Sequence, residues 1–293
     1  MKTHLVDGTY ELFRHYFGAP PKKGADGREV GATVGLLRSL SLLLATPGVT
    51  HVGCAFDHVI ESFRNELFSG YKTGAGVEKD LLDQFPLAER AVAALGIVVW
   101  PMVEFEADDA LATAASRFRD QPGVEQVVIC SPDKDLAQSV SAARVVCWDR
   151  RRDVILDEEG VIDKFGVRPR SIPDWLALVG DAADGYPGIP AWGAKSASAV
   201  LARFDHLEAI PDDPRLLGLP LGRASRLVES LAAHREEAFL YRDLATLRHD
   251  VPIEEGLADL EWLGAGAGFE DVCRELGAEE LAKRITERRD TPA

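Results

Sequence analysis

Apolar residues follow two alternating patterns through the first 156 positions. Short continuous runs, such as Thr3-His4-Leu5-Val6, Val52-Gly53-Cys54-Ala55-Phe56 and Val127-Val128-Ile129-Cys130, are hydrophobic on both faces and read as buried parallel strands. They predict strands at 3–6, 49–56, 97–99 and 124–130, with two more near 143–148 and 153–156. Between them apolar residues recur at helical spacing, predicting helices from about Thr9 to Phe17, over 31–45, 63–68 and 78–95, and from Glu106 to about Phe118. In the second of these, Leu36, Leu37, Leu40, Leu43 and Leu44 share one side. Strand alternating with helix predicts an α/β class with a mostly parallel sheet flanked by helices. Breakers mark a loop from Pro20 to Gly27, and Ser69 to Gly76 is polar and flexible. After about residue 157 the pattern turns helical, with segments at 157–165, 171–180, 193–204, 223–233, 235–246 and 269–286. The expected division is therefore 1–156 and 157–293, the helical part packing on the sheet part.

Composition adds a constraint. The chain has 293 residues and a formal net charge of −15. An acidic surface argues mildly against nucleic acid, which favours basic partners, although bound cations and local patches change that balance. Cys54, Cys130, Cys147 and Cys273 form no C-x-x-C pair, and three lie in strand-like runs. They read as buried thiols of a reducing compartment, here the cytoplasm. No apolar signal segment precedes the first strand, and no run is long enough for a membrane span. The seven His residues lack zinc-ligand spacing and read as surface or core groups.

Carboxylates carry the candidate chemistry. Asp7, Asp57 and Asp133 each follow an apolar strand, where ligands bind in open α/β sheets. Asp135 follows two positions on, Glu106, Asp108 and Asp109 open a helix, and Asp181 and Asp184 are spaced to face one way on a helical turn. Each alone has a plain structural reading, since Asp caps loops and helices and acidic first turns suit the helix dipole. Together they repel unless cations lie among them. An oxygen-only set without His or Cys suits Mg²⁺ or Mn²⁺, and paired ions can clamp an in-line phosphoryl displacement.

The segment Gly188-Ile189-Pro190-Ala191-Trp192-Gly193-Ala194-Lys195-Ser196 nearly spells a P-loop, but Ala194 separates Gly193 from Lys195 and no strand precedes it. It reads instead as a hairpin between helices, whose backbone N–H groups, helix N-terminus and Lys195 would meet a phosphate. Trp192 either stacks on a sugar or fills the core. Arg14, Arg64, Lys72 and Lys134 stand close in sequence to the carboxylates. Each is either a solvated charge or a contact to a substrate phosphate.

In order, Leu5-Val6-Asp7-Gly8, Ala55-Phe56-Asp57, Ser62-Phe63-Arg64, Tyr71-Lys72, Phe105 to Asp109, Ser131 to Leu136 and Gly180 to Gly188 resemble the motifs of 5′-3′ exonucleases and flap endonucleases, including the N-terminal nuclease domain of bacterial DNA polymerase I. The resemblance implies a PIN-like α/β domain, an arch or loop near 69–95 and a helix–three-turn–helix near 171–204 that holds duplex DNA. It implies that Asp7, Asp57, Glu106, Asp108, Asp109, Asp133, Asp135, Asp181 and Asp184 hold two or more Mg²⁺ or Mn²⁺ ions. Lys72 would be the arch lysine facing the scissile phosphate, with Arg64 assisting. Arg14, Lys134, Gly188, Ile189, Trp192, Gly193, Lys195 and Ser196 would face DNA, with K⁺ bound by hairpin carbonyls. The chain departs from the family where Thr73 to Gly76 carry no basic residue, where Ala191-Trp192 stand for a usual Gly-Ile, and at Gly185 for a common Asn. The expected function is a stand-alone, monomeric structure-specific 5′ nuclease linked to a polymerase and ligase. The rivals are a PIN-type ribonuclease and an inactive DNA-junction binding module.

Overall fold

A computed structural model describes residues 1–289. The elements run β1 (Lys2–Asp7), α1 (Gly8–Gly18), α2 (Gly31–Leu44), β2 (Val49–Asp57), α3 (Arg64–Leu67), α4 (Lys79–Leu82), α5 (Phe85–Ala94), β3 (Val98–Met102), α6 (Ala107–Phe118), β4 (Gln126–Cys130), β5 (Val145–Asp149), β6 (Val154–Leu156), α7 (Glu158–Phe165), α8 (Ile172–Val179), α9 (Ala194–Phe204), α10 (Leu221–Ala233), α11 (Arg235–Ala245), α12 (Phe269–Glu275) and α13 (Glu279–Arg289).

The chain forms two compact units that interleave along the sequence. The first comprises 1–60, 74–131 and 249 onward; the second comprises 61–73 and 132–248. This cuts across the division at residue 156 expected from the pattern. The cause lies in the segment after His249, whose extended backbone answers donors and acceptors of the first unit. Trp262 N–H donates to the Thr50 carbonyl (2.8 Å) and its indole to that of Leu95 (2.8 Å). Arg117 donates to the Ile253 carbonyl (2.7 Å), and the Trp100 indole to Glu255 (2.9 Å). No apolar periodicity reveals these bonds.

In the first unit β3, β2, β1 and β4 are parallel neighbours. Leu5, Val6, Cys54, Phe56, Val127 and Ile129 are fully buried, as expected for strands covered on both faces. β3 extends through Pro101, beyond the 97–99 expected, because an edge strand tolerates a residue with no N–H to give. The helix expected over 78–95 is broken: α4 ends, Gln84 turns inward to accept from the Thr33 N–H and hydroxyl (3.1 and 3.2 Å), and Pro86 stands in the first turn of α5. α5 buries Phe85, Leu87, Ala88, Ala91 and Val92 in the core, so residues 85–95 do not belong to an arch. The helix expected over 269–286 is likewise two, separated at Gly277 with φ +58.

The second unit holds the antiparallel β5–β6 hairpin and helices packed α8 on α9 and on α11. Among the described residues no helix is long and apolar enough to cross a membrane. All four cysteines are buried, and none forms a disulfide among the described residues.

Candidate metal centre

The expected carboxylates divide between the units. Asp7 and Asp57 are the last residues of neighbouring parallel strands in the first unit. Asp7 also starts α1: its Oδ1 accepts from Tyr10 N–H (2.8 Å) and its Oδ2 from the Ser131 hydroxyl (2.8 Å). Asp57 accepts from the Ala107 N–H at 2.7 Å, which ties the strand end to the first turn of α6. There Glu106 and Asp109 form a reciprocal capping box, Asp109 accepting from the Glu106 N–H at 3.0 Å. The caps account for the burial of Asp7, Glu106 and Asp109; Asp108 is half-exposed.

The second unit gathers Asp133, Asp135, Asp181 and Asp184. Asp133 is exposed and its Oδ1 caps the 3₁₀ turn Asp135–Ser139 by accepting from the Asp135 N–H (2.9 Å). Asp181 and Asp184 do not lie on a helical turn. They sit in a tight loop after α8, closed by Asp181 N–H to the Tyr186 carbonyl (2.9 Å) and Tyr186 N–H to the Asp181 carbonyl (3.1 Å). The loop needs Gly185, whose φ is +92 and where a Cβ would lie 2.2 Å from the Gly70 carbonyl oxygen. It also needs Gly188, φ +74, where a Cβ would meet the Gly180 nitrogen at 2.5 Å.

Asp135, Asp181 and Asp184 are buried, and one ligand oxygen from each lies within 4.8 Å of the others. Asp135 Oδ1 is buried without a hydrogen-bond donor. Burial, followed by the charges of Asp133, Asp184 and Asp181, pushes the Asp135 carboxyl well above its ordinary range, against the pull of Lys134. A buried acceptor that no donor among the described residues satisfies, with two further buried carboxylates beside it, fits a hard cation. Lys134 pairs with Asp181, and Lys72 Nζ stands 3.3 Å from Asp184 while its N–H donates to the Asp184 carbonyl (2.9 Å). Four carboxylates against two ammonium groups leave two negative charges, the amount one divalent ion cancels. Desolvation alone would lower the Lys134 ammonium, but the hydrogen bond to Asp181 and the charges of Asp135, Asp181 and Asp133 raise it.

Several basic and hairpin residues have other work. Arg64 is 1% exposed; its Nε donates to the Leu244 carbonyl (2.7 Å) and its guanidinium to that of Thr246 (3.1 Å), so it cannot reach a substrate phosphate. Arg14 is bound to Glu11 (2.6 Å) and Ser39 (3.3 Å), which occupies the charge expected to face DNA. Trp192 fills the core, its indole donating to the Leu227 carbonyl at 3.1 Å. The N–H groups of Ile189, Trp192 and Ser196 bond to the carbonyls of Leu178, Ile189 and Gly193, and that of Gly193 to the Ser196 hydroxyl. These four donors close the hairpin instead of meeting a phosphate. Lys195 alone of the expected hairpin contacts is exposed, in the first turn of α9.

Charge is unevenly spread. The second unit carries 18 Lys and Arg against 21 Asp and Glu, a net of −3, which leaves −12 of the total −15 to the first. Removing the four clustered carboxylates makes the second unit slightly basic. The acidic total therefore says little about the surface around Lys195.

Models of the 5′-3′ exonuclease N-terminal resolvase-like domain and of the 5′-3′ exonuclease C-terminal SAM fold match residues 2–166 and 167–266. The chain belongs to the 5′-3′ exonuclease family. A 5′-3′ exonuclease of Aquifex aeolicus is 34% identical over 246 residues, covering 83% of this chain and 83% of that protein. DNA polymerase I of Bacillus caldotenax is 34% identical over 267 residues, 90% of this chain, and the chain spans only 30% of that polymerase's length. Among solved structures, the flap endonuclease of bacteriophage T5, in a pseudo-enzyme-product complex with DNA and metal ions, shares the fold with TM-score 0.66 at 17% identity, covering 99% of this chain and 100% of that one.

Proposed function

We propose that this member of the 5′-3′ exonuclease family is a divalent-metal-dependent, structure-specific 5′ nuclease that hydrolyses phosphodiester bonds in branched, nicked or 5′-ended DNA. The observation that carries the reading is the buried Asp135–Asp181–Asp184 group with its undonated oxygen. Oxygen donors alone favour Mg²⁺ or Mn²⁺. Bound there, such ions would polarise the phosphodiester and favour attack by water and departure of the leaving oxygen. The three carboxylates hold and orient the ion. Asp133 adds an exposed carboxylate beside them, and Lys72, 28% exposed, can turn from Asp184 to a substrate phosphate. The family resemblance extends the ligand assignment to Asp7, Asp57, Glu106, Asp108 and Asp109, and to two or more ions. Lys195 contacts duplex phosphate at the start of α9, and K⁺ at the 188–196 hairpin would add to that contact.

The name of the polymerase relatives supports a functional link to a DNA polymerase, and through nick processing to a ligase. The phage complex supports DNA as the bound polymer. Four buried cysteines outside any disulfide among the described residues suit the cytoplasm. The test is a product ladder on matched labelled 5′-flap, nicked, gapped and single-stranded DNA, with an RNA counterpart, in Mg²⁺, Mn²⁺ and EDTA. Cleavage of the branched DNA with metal and none in EDTA is expected. Binding without cleavage in either metal leaves a junction-binding module, and cleavage confined to RNA leaves a ribonuclease.

A further inference from the structure

The loop that closes the acidic group buries a second polar atom with nothing to bond. Tyr186 is 1% exposed, and its hydroxyl has no hydrogen-bond partner among the described residues. Its ring is held: it stacks on Tyr241 at 5.5 Å and 22°, and its backbone is bridged in both directions to Asp181. A buried donor left unsatisfied is destabilising, and an apolar group of the same shape would avoid that cost. The hydroxyl therefore has a reason to be there that the metal-free chain does not display. Its surroundings indicate the reason. Tyr186 is bonded backbone to backbone in both directions with Asp181 and stands two positions after Asp184, two of the three buried carboxylates whose ligand oxygens lie within 4.8 Å of one another. A buried orphan donor and a buried orphan acceptor, Asp135 Oδ1, thus belong to one group of side chains.

We propose that the Tyr186 hydroxyl is a positioning donor for a hydrated divalent cation held by Asp135, Asp181 and Asp184. The inference rests on the nuclease reading above. The cation satisfies Asp135 Oδ1, and the phenol O–H donates to a water the cation keeps. Mg²⁺ and Mn²⁺ suit such a site because Mg²⁺ gives up its hydration reluctantly and small protein sites hold it with several waters in place. Outer donors of this kind orient the ligands and typically matter 10–100-fold in metal affinity. Tyr186 touches no reacting atom in this scheme; it acts through the ion's ligands.

The test uses the full chain and the metal alone. Tyr186→Phe removes one oxygen and keeps the ring on Tyr241. Thermal melts are recorded in EDTA and across a Mg²⁺ and a Mn²⁺ titration for wild type, Tyr186→Phe and Tyr241→Phe. The expected result is an EDTA melting temperature for Tyr186→Phe equal to or above wild type. The metal concentration giving half the thermal shift should rise about tenfold or more, with Tyr241→Phe unchanged. Half-saturation within twofold of wild type for Tyr186→Phe overturns the proposal, as does an EDTA melt clearly below wild type, which would give the hydroxyl a structural partner. Absence of any metal shift in wild type overturns the metal-site reading itself, so the two failures are told apart.

Discussion

Replacing Asp135 by Asn isolates the electrostatics of the acidic group. In EDTA the wild-type chain must hold three buried carboxylates whose ligand oxygens lie within 4.8 Å of one another. At an effective dielectric of about 20, two full charges at that separation repel by about 3–4 kcal/mol. Lys134 and Lys72 already compensate Asp181 and Asp184. The relief on removing the Asp135 charge is therefore smaller, on the order of 1–2 kcal/mol. Unfolding separates the charges, so the relief belongs to the folded state only. At roughly 2–4 °C per kcal/mol for a chain of this class, Asp135→Asn should melt about 2–8 °C higher than wild type in EDTA. Metal reverses the ranking of gains. An ion at a hundredfold excess over its Kd stabilises the folded chain by about 2.7 kcal/mol, and the variant, short of one anionic ligand, should gain much less. Melts of both proteins in EDTA and in Mn²⁺ read both signs. A variant that melts lower in EDTA and gains as much from Mn²⁺ as wild type would show that Asp135 is a structural cap, and the charge argument would fall with it.

Arg64→Ala should lower stability by about 3–5 kcal/mol, because it strands the Leu244 and Thr246 carbonyls and opens a cavity. The folded fraction should keep its turnover number, whereas a phosphate-contact role would show as lost turnover with an unchanged melt. Lys195→Ala should weaken duplex binding and reduce the slope of log K against log salt by roughly one unit; an unchanged slope makes it a solvated charge. Glu11 is 3% exposed, and although burial opposes ionisation, hydrogen bonds from His15, Arg14 and Ser39 bring its carboxyl from 4.5 down to about 2. A lowered folded value means stability fully present above pH 4.5 and lost as pH falls through about 2, on the order of 3 kcal/mol in all. Urea titrations should therefore find Glu11→Gln less stable at pH 7, with the gap to wild type narrowing between pH 5 and pH 3; a constant gap refutes it.

The strands were legible because β1, β2 and β4 are buried on both faces and leave unbroken apolar runs. Asp7 and Asp57 were legible for the same reason, since each ends such a run. What failed to show was anything set by bonds to distant backbone. Arg64 is long, charged and adjacent to a motif, and only the carbonyls of Leu244 and Thr246, 180 and 182 residues away, reveal that it is a buried strut. Asp181 and Asp184 have helical spacing, yet Gly180, Gly185 and Gly188 at positive φ fold them into a loop. Spacing counts residues and is blind to that choice of backbone. A tyrosine before Pro-Gly has the pattern of ordinary turn filling, as Tyr186 does. Its interest arises from an unbonded oxygen, which has no sequence signature.

The interleaving of the two units has a consequence for synthesis on the ribosome. The second unit consists of the continuous stretch 132–248 and the earlier segment 61–73, so it can close once residue 248 has emerged. The first unit, though it begins at residue 1, must wait for the stretch that supplies Trp262 to Thr50 and Glu275 to Arg28 (3.0 Å) and Arg90 (2.7 Å). Its four parallel strands, the slowest kind of pairing to form, are thus left without their last partners while more than a hundred later residues are made. The Trp100 indole and the Ala94 carbonyl, which bond to Glu255 and Gly266, lack those partners throughout that interval. Translation pauses between the end of β3 at Met102 and residue 275 would lengthen that wait, and earlier pauses would not.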